Sequence, residues 1–285
     1  MAASPLRVVL PNVRLELVSR PESLLLVREM LAGLAEAVEL DGNDLHDVRT
    51  AVTEACNNVV QHAYGTREGP LEVEVCVGRS AVDVVVRDRG SGIRPQLRTF
   101  QDGRSGLGLP LIQALAHRVQ FTGAVGEGTE VTMTFRTPGI EALPSDRQNG
   151  RTADAIALTE PISTTRLTLA PARLARTVLA RLLSALGARA HFSTERISDS
   201  RLLACALAAC APAPDGEDRL SVAIAVRPRD LRLRVGPVRP DRAREVIGGT
   251  AFGGGDPVLE RMGEGNPGTG QERAEILTLT LTEPR

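Results

Sequence analysis

The sequence predicts an α/β chain built as an α+β sandwich, a mixed and mostly antiparallel sheet with helices on one face, in two tandem copies. Three observations carry this expectation. Helical apolar periodicity gives way to strict period-two alternation within the first half of the chain. The same order of patterns returns after about 120 residues, as a duplicated unit would produce. A polar, aperiodic stretch separates the two halves, and 285 residues suffice for two ordinary cores.

In the first half, residues 21–38 and 43–64 carry helical patterns. In the second of these, Leu45, Val48, Val52, Cys56, Val59 and Ala63 form an apolar stripe. Residues 71–77 and 81–86 alternate, with Leu71, Val73, Val75 and Val77 on one face, as a half-buried strand requires. A Gly-rich loop, a short helix near 107–117, and strands at 119–122 and 131–135 complete the half. Residues 138–161 (PGIEALPSDRQNGRTADAIALTEP) hold no sustained period. The expected organisation is therefore a domain at 1–137, a linker at 138–160 and a domain at 161–285. In the latter, RLTLA (166–170) leads into a helix at 171–190, with Leu174, Val178, Leu182 and Leu186 at spacing four. A second helix at 199–210 and strands at 220–226 and 231–235 follow, and EILTLTLT (275–282) closes the chain much as EVTMTF (130–135) closes the first half. A second α/β domain of unrelated origin is the alternative to duplication.

All 34 basic residues are arginine. Without lysine there is no Walker-type phosphate loop, no strand lysine of the common protein-kinase fold and no Schiff-base chemistry. Against 35 acidic residues the net charge is −1, so no global field attracts nucleic acid or a membrane. Aromatics at 2% with no Trp leave no base-stacking platform. No apolar run approaches the roughly 18 residues of a membrane span, and the first residues do not resemble a secretory signal, so a cytoplasmic location is expected. Cys56, Cys76, Cys205 and Cys210 lie in apolar surroundings without metal-ligand spacing and are expected to be buried free thiols.

Four segments carry candidate chemistry. In VRTAVTEACNNVVQHAYG, Thr50, Glu54, Asn58 and Gln61 fall on a stripe apart from the apolar one, with Glu54 and Asn58 one turn apart. Such a carboxylate and carboxamide can order a nucleophile and ligate magnesium; taken alone, the pair also reads as a solvated helix face. In VRDRGSGI, Asp88 ends a strand and Gly90 and Gly92 follow, a spacing that lets backbone approach a ligand but also makes an ordinary turn. GRSGLGLPLI places Gly103, Gly106 and Gly108 at a helix entry, where amides point at an anion or simply turn the chain. GEGT (126–129) precedes the last strand and by itself makes a hairpin turn.

Together and in this order, the segments resemble the GHKL superfamily of ATPases, which includes gyrase, heat-shock chaperones, histidine kinases and mismatch-repair ATPases. The nearest resemblance is to the bacterial anti-sigma-factor serine/threonine kinases, and it covers about residues 6–137. It implies a Bergerat-type ATP-binding fold with ATP and Mg2+ as cofactors. It makes Asn58 the metal ligand, Glu54 the catalytic base and Asp88 the adenine reader, with Gly90 and Gly92 beside base and sugar. Gly106 and Gly108 go to the phosphates, Thr129 supports the adenine side, and His62 matches a commonly seen position. The 13 residues between Gly92 and Gly106 form a short lid similar to that of these kinases, and no phosphoacceptor helix pair is expected ahead of the domain. The implied partners are a sigma factor and an anti-anti-sigma antagonist, with no nucleic acid or membrane. A nucleotide-dependent binding module that transfers nothing is the alternative.

Laying 199–210 over 47–58 puts Ala206 where Glu54 stands and Cys210 where Asn58 stands, while Gly236 or Pro237 takes the place of Asp88. Residues 261–270 are Gly-rich but lead into no evident helix. The second half is thus expected to be a degenerate copy that binds no nucleotide and docks on the first. Since the related kinases resemble one another in working as homodimers, the chain would be a pseudo-dimer and a monomer in solution.

Overall fold

Alternating apolar residues build one sheet, and amphipathic helices cover one side of it. The computed structural model describes residues 10–92, 108–144, 164–210, 218–239, 265–267 and 275–283. In the first half, β1 (Val13–Val18) precedes helices α1 (Ser23–Val38) and α2 (Gly42–Asn58). Strands β2 (Pro70–Val77) and β3 (Ala81–Asp88), helix α3 (Gly108–Leu115), and strands β4 (Arg118–Ala124) and β5 (Gly128–Arg136) follow. The second half runs β6 (Thr165–Leu169), a 3-10 turn (Ala172–Arg176), α4 (Val178–Arg189) and α5 (Thr194–Cys210). It ends with β7 (Leu220–Arg227), β8 (Asp230–Val238), β9 (Gly265–Pro267) and β10 (Glu275–Thr282).

The ten strands form one sheet in the order β4-β5-β3-β2-β1-β6-β7-β8-β10-β9. Every pairing among the described residues is antiparallel, which corrects the expected mixed sheet. Strand β1, an addition to the expected elements, lies at the centre of the sheet and pairs with β2 on one side and β6 on the other. Its alternation buries Val13, Leu15 and Leu17, so its register is fixed by the core face. The order reads symmetrically about the β1/β6 pair. The offset that carries Gly42 and Asn58, the ends of α2, onto Thr194 and Cys210, the ends of α5, also carries Leu15 onto Leu167, and these two are directly paired.

Helix α1 packs on α4 across this seam. A Cβ on Gly33 would stand 2.7 Å from the Val178 Cα and 2.9 Å from the Thr177 carbonyl carbon, so the absence of a side chain sets how closely the helices approach. Arg181 reaches Glu36 at 3.0 Å and Glu29 at 3.4 Å. Buried Asn12 donates to the Ala170 and Pro144 carbonyls at 2.9 and 3.1 Å and accepts from the Val77 amide at 2.7 Å. On the side of the sheet away from the helices, a charged row crosses five strands. Arg87 bridges Glu130, Glu72 and Glu74, Arg14 bridges Glu72, and Arg166 reaches Glu16 across the seam at 3.4 Å. Burial opposes the charge on Arg87, but the carboxylates of Glu130 and Glu74 outweigh it and raise its pKa.

Other elements depart from expectation in physically readable ways. The helix expected to run to Tyr64 ends at Asn58 and continues as a π-helical turn, Val59–Ala63. The helix expected from 171 opens with the 3-10 turn before α4. In the expected linker, Ile140 and Leu143 are buried, and the Leu143 amide donates to the Val77 carbonyl at 3.2 Å; residues 145–160 lie outside the described residues. None of the four cysteines forms a disulfide, but only Cys56 and Cys210 are buried; Cys76 is half-buried and Cys205 is exposed, against the expectation for these two. Among the described residues no helix is long and apolar enough to cross a membrane.

Candidate functional site

Helix α2 is the spine of the site. Asp41 caps it by accepting from the Asn43 amide at 2.8 Å, and Asp44 complements the dipole in the first turn. Val48, Ala51, Val52, Ala55 and Cys56 are buried under the helix, which leaves Thr50, Thr53, Glu54 and Asn58 half-buried along its margin. Burial pushes the Cys56 thiol up to about 12, so this sulfur fills space and stays protonated.

Gly108 begins α3 against the side chain of Glu54: a Cβ there would fall on the Glu54 Oε1 atom. The helix entry of the Gly-rich segment and the carboxylate are thus side by side; Gly106 lies outside the described residues. Glu54 also faces an open cleft of about 450 Å³ lined by Arg28, Arg49, Thr50, Thr53 and Leu111. Arg28 Nε donates to Thr53 Oγ1 at 3.3 Å.

Asp88 is 7% exposed at the end of β3. Its Oδ1 accepts from the Gly90 amide at 2.7 Å, while Oδ2 has no protein donor among the described residues. The loop that follows is pressed from two sides. A Cβ on Gly90 would strike the Ala63 carbonyl oxygen, and one on Gly92, whose φ is +71°, would strike the Ala124 carbonyl oxygen. The Ser91 amide donates to the Ala63 carbonyl at 2.8 Å, and the Ser91 carbonyl accepts from the Gly126 amide at 2.9 Å. Thr129 is half-buried on β5 opposite Gly123, so the GEGT segment both turns the β4–β5 hairpin and walls the loop.

The structure therefore assembles two groups: Glu54, Asn58 and Gly108 along α2, and Asp88, Gly90, Gly92 and Thr129 around the β3 loop. The π-helical turn links them, because Ala63 ends that turn and accepts from the loop. His62 is exposed on the same turn. Sequence reasoning overlooked Tyr64, whose hydroxyl accepts from the Arg89 amide at 2.8 Å and donates to the Pro70 carbonyl at 2.5 Å. Its signal was available, as the only tyrosine of the chain placed just before a glycine. Arg28 carried no such signal, since only the packing of α1 on α2 brings it to the cleft, whereas Arg49 lies on α2 itself, one turn before Thr53.

An antiparallel sheet backed by helices, with a Glu/Asn helix and glycine-rich segments after β3 and before α3, defines the first half as a Bergerat-type ATPase fold. The chain belongs to the histidine kinase-like ATPase domain family, whose model matches residues 17–135. It is similar to the serine-protein kinase RsbW of Bacillus licheniformis, 30% identical over 129 residues that cover 41% of this chain and 79% of that protein. RsbW of Bacillus velezensis is 30% identical over 135 residues, covering 43% and 83%. Among solved structures, the RsbU and RsbW domains of Rv1364c from Mycobacterium tuberculosis match with a TM-score of 0.35 and 23% identity, over 46% of this chain and 35% of that one. The family match ends within β5, before the second half begins.

Proposed function

We propose that the first half is an ATP-dependent serine/threonine protein kinase that acts as an anti-sigma factor, binding a sigma factor and phosphorylating an anti-anti-sigma antagonist. The observation that carries this reading is the placement of Glu54, set against the α3 entry on one side and open to a cleft on the other. Bound Mg-ATP supplies the phosphoryl donor and the cation that neutralises charge in the transition state. Asn58 would hold the cation through its neutral oxygen. The donor chemistry fits this role: magnesium takes few protein oxygens beside substrate phosphates, and Asn58 offers a neutral carboxamide oxygen from a half-buried position in the last turn of α2. Gly106 and Gly108 would bring α3 entry amides to the phosphates. Asp88 offers its free oxygen to the exocyclic amine of adenine, and Gly90, Gly92 and Thr129 shape the wall around the base. In the cleft, Glu54 accepts the proton of the acceptor hydroxyl as that oxygen bonds to the γ-phosphorus, and ADP leaves.

The second half supports a reading as a degenerate copy. Ala206 and Cys210 replace Glu54 and Asn58 at matching positions of a helix of equal length, and the β7/β8 register that pairs Ser221 with Gly236 brings Pro237 to the place of Asp88. Neither replacement ligates magnesium and proline has no donor or acceptor side chain, so this half takes no nucleotide and serves as the second subunit of a pseudo-dimer. Partner binding without transfer remains the competing function, and paired variants separate the two. Asn58→Ala should abolish magnesium-dependent nucleotide binding, whereas Glu54→Ala should keep binding and slow transfer to a serine-bearing antagonist by about 10²–10⁴-fold. Transfer by Glu54→Ala at the wild-type rate would remove the catalytic assignment.

A further inference from the structure

We propose that Tyr64 is a positioning residue that sets base selectivity by fixing the Asp88 loop to the end of α2. The inference rests on the ATP reading above and deepens it. Three consecutive loop amides are held. Arg89 donates to the Tyr64 hydroxyl, Gly90 to the Asp88 carboxylate and Ser91 to the Ala63 carbonyl, at 2.8, 2.7 and 2.8 Å. The middle bond orients the carboxylate, and the two outer bonds, accepted by Ala63 at the end of the π-helical turn and by Tyr64 just after it, fix the peptide planes on which the middle bond depends.

The phenol is held as firmly as the loop it holds. Its proton goes to the Pro70 carbonyl at the start of β2, so the oxygen is free to accept from Arg89. A Cβ on Gly69 would overlap the Tyr64 ring, so this glycine lets the ring lie flat on the backbone. Burial raises the phenol pKa, which keeps the hydroxyl protonated and donating. The π-helical turn supplies the geometry: a wider turn re-aims the last carbonyl and side chain of the helix, a device that recurs at functional sites. A regular α-helical continuation would turn the Ala63 carbonyl toward an amide further along its own helix.

Both hydrogen bonds of the phenol lie at the surface, where water can replace them. Losing the hydroxyl therefore spares the fold and frees the rotation of the loop. The carboxylate then no longer presents one oxygen to an amine in a fixed direction, while the phosphate-side residues Asn58 and Gly108 are untouched. A residue that merely supports the fold would weaken all nucleotides together.

Calorimetric titration of the full chain with Mg-ATP and Mg-GTP tests this, for the wild type, Tyr64→Phe, Asp88→Asn and the double variant. The expected result is that Tyr64→Phe weakens ATP about 5- to 10-fold, the size of one or two hydrogen bonds, and leaves GTP within about twofold. Adding Tyr64→Phe to Asp88→Asn should change neither affinity further, since the effect passes through Asp88. Equal losses for ATP and GTP, unchanged selectivity, or full additivity in the double variant would each overturn the assignment. A wild type that binds neither nucleotide overturns the ATP reading itself and this inference with it, and the wild-type titration distinguishes that failure from the others.

Discussion

Asp88 illustrates how much one side chain can decide. Its Oδ1 is committed to the Gly90 amide, which leaves a single oxygen in a nearly buried position for a ligand donor. In the proposed site adenine would present an amine there and guanine a carbonyl, and two facing acceptors leave a buried group unsatisfied at a cost of about 1–3 kcal/mol. The wild type should accordingly prefer ATP to GTP by roughly 10- to 100-fold in calorimetry, and equal affinities would take Asp88 out of that role. The thiols make a second residue-level case. Cys56 is raised from 9.0 to about 12 by burial, so the unfolded chain ionises first as the pH climbs. Its contribution is complete below pH 9 and is lost between about pH 9 and 12, at up to about 1.4 kcal/mol per unit. Urea unfolding of the wild type should lose stability more steeply over that range than Cys56→Ala does. In native chain, iodoacetamide should label Cys205 well before Cys56 or Cys210, as peptide mass spectrometry would show.

At the scale of elements, the seam between α1 and α4 is set by Gly33. Gly33→Leu would drive a side chain into the backbone of Thr177 and Val178 and should destabilise the whole chain by at least about 1–3 kcal/mol in chemical denaturation. An unchanged midpoint would mean that the two helices are free to part. Much of this level was legible in the sequence. Period-two runs gave β2, β3, β7, β8 and β10, and the stripe under α2 named its buried face. Two features were not legible, for physical reasons. Strand β1 is short, and its place depends on partners more than 50 and 150 positions away, Leu71 and Leu167 among them; only pairing makes it central. The π-helical turn has the same residue pattern as the α-helix it continues, and its departure is set by the loop amides it must reach. Glu54, Asn58 and the Asp88 segment stand out by short-range spacing, but that spacing alone also fits a solvated helix face and an ordinary turn, and only the order of all four segments and its family resemblance suggested roles for them. Tyr64 and Arg28 reach the site through contacts that spacing does not encode.

The described residues form one ten-stranded sheet with helices α1 and α4 packed across its midline. The 285-residue chain should bind one nucleotide in calorimetry, and Asn58→Ala should bind none; a residual site in that variant would show that the second half keeps a pocket of its own. The β1/β6 pair has a further consequence, which belongs to mass action. An edge strand that recruits a second copy separates on dilution, and its assembly tracks expression level. Here the edge of β1 is already filled by a strand of the same chain, held at a local concentration that the tether fixes. Activity per chain should therefore stay flat as the protein is diluted, and an inactive variant such as Asn58→Ala mixed in excess should neither exchange into the active chain nor poison it. The cell could then change the number of these molecules without changing what each one does.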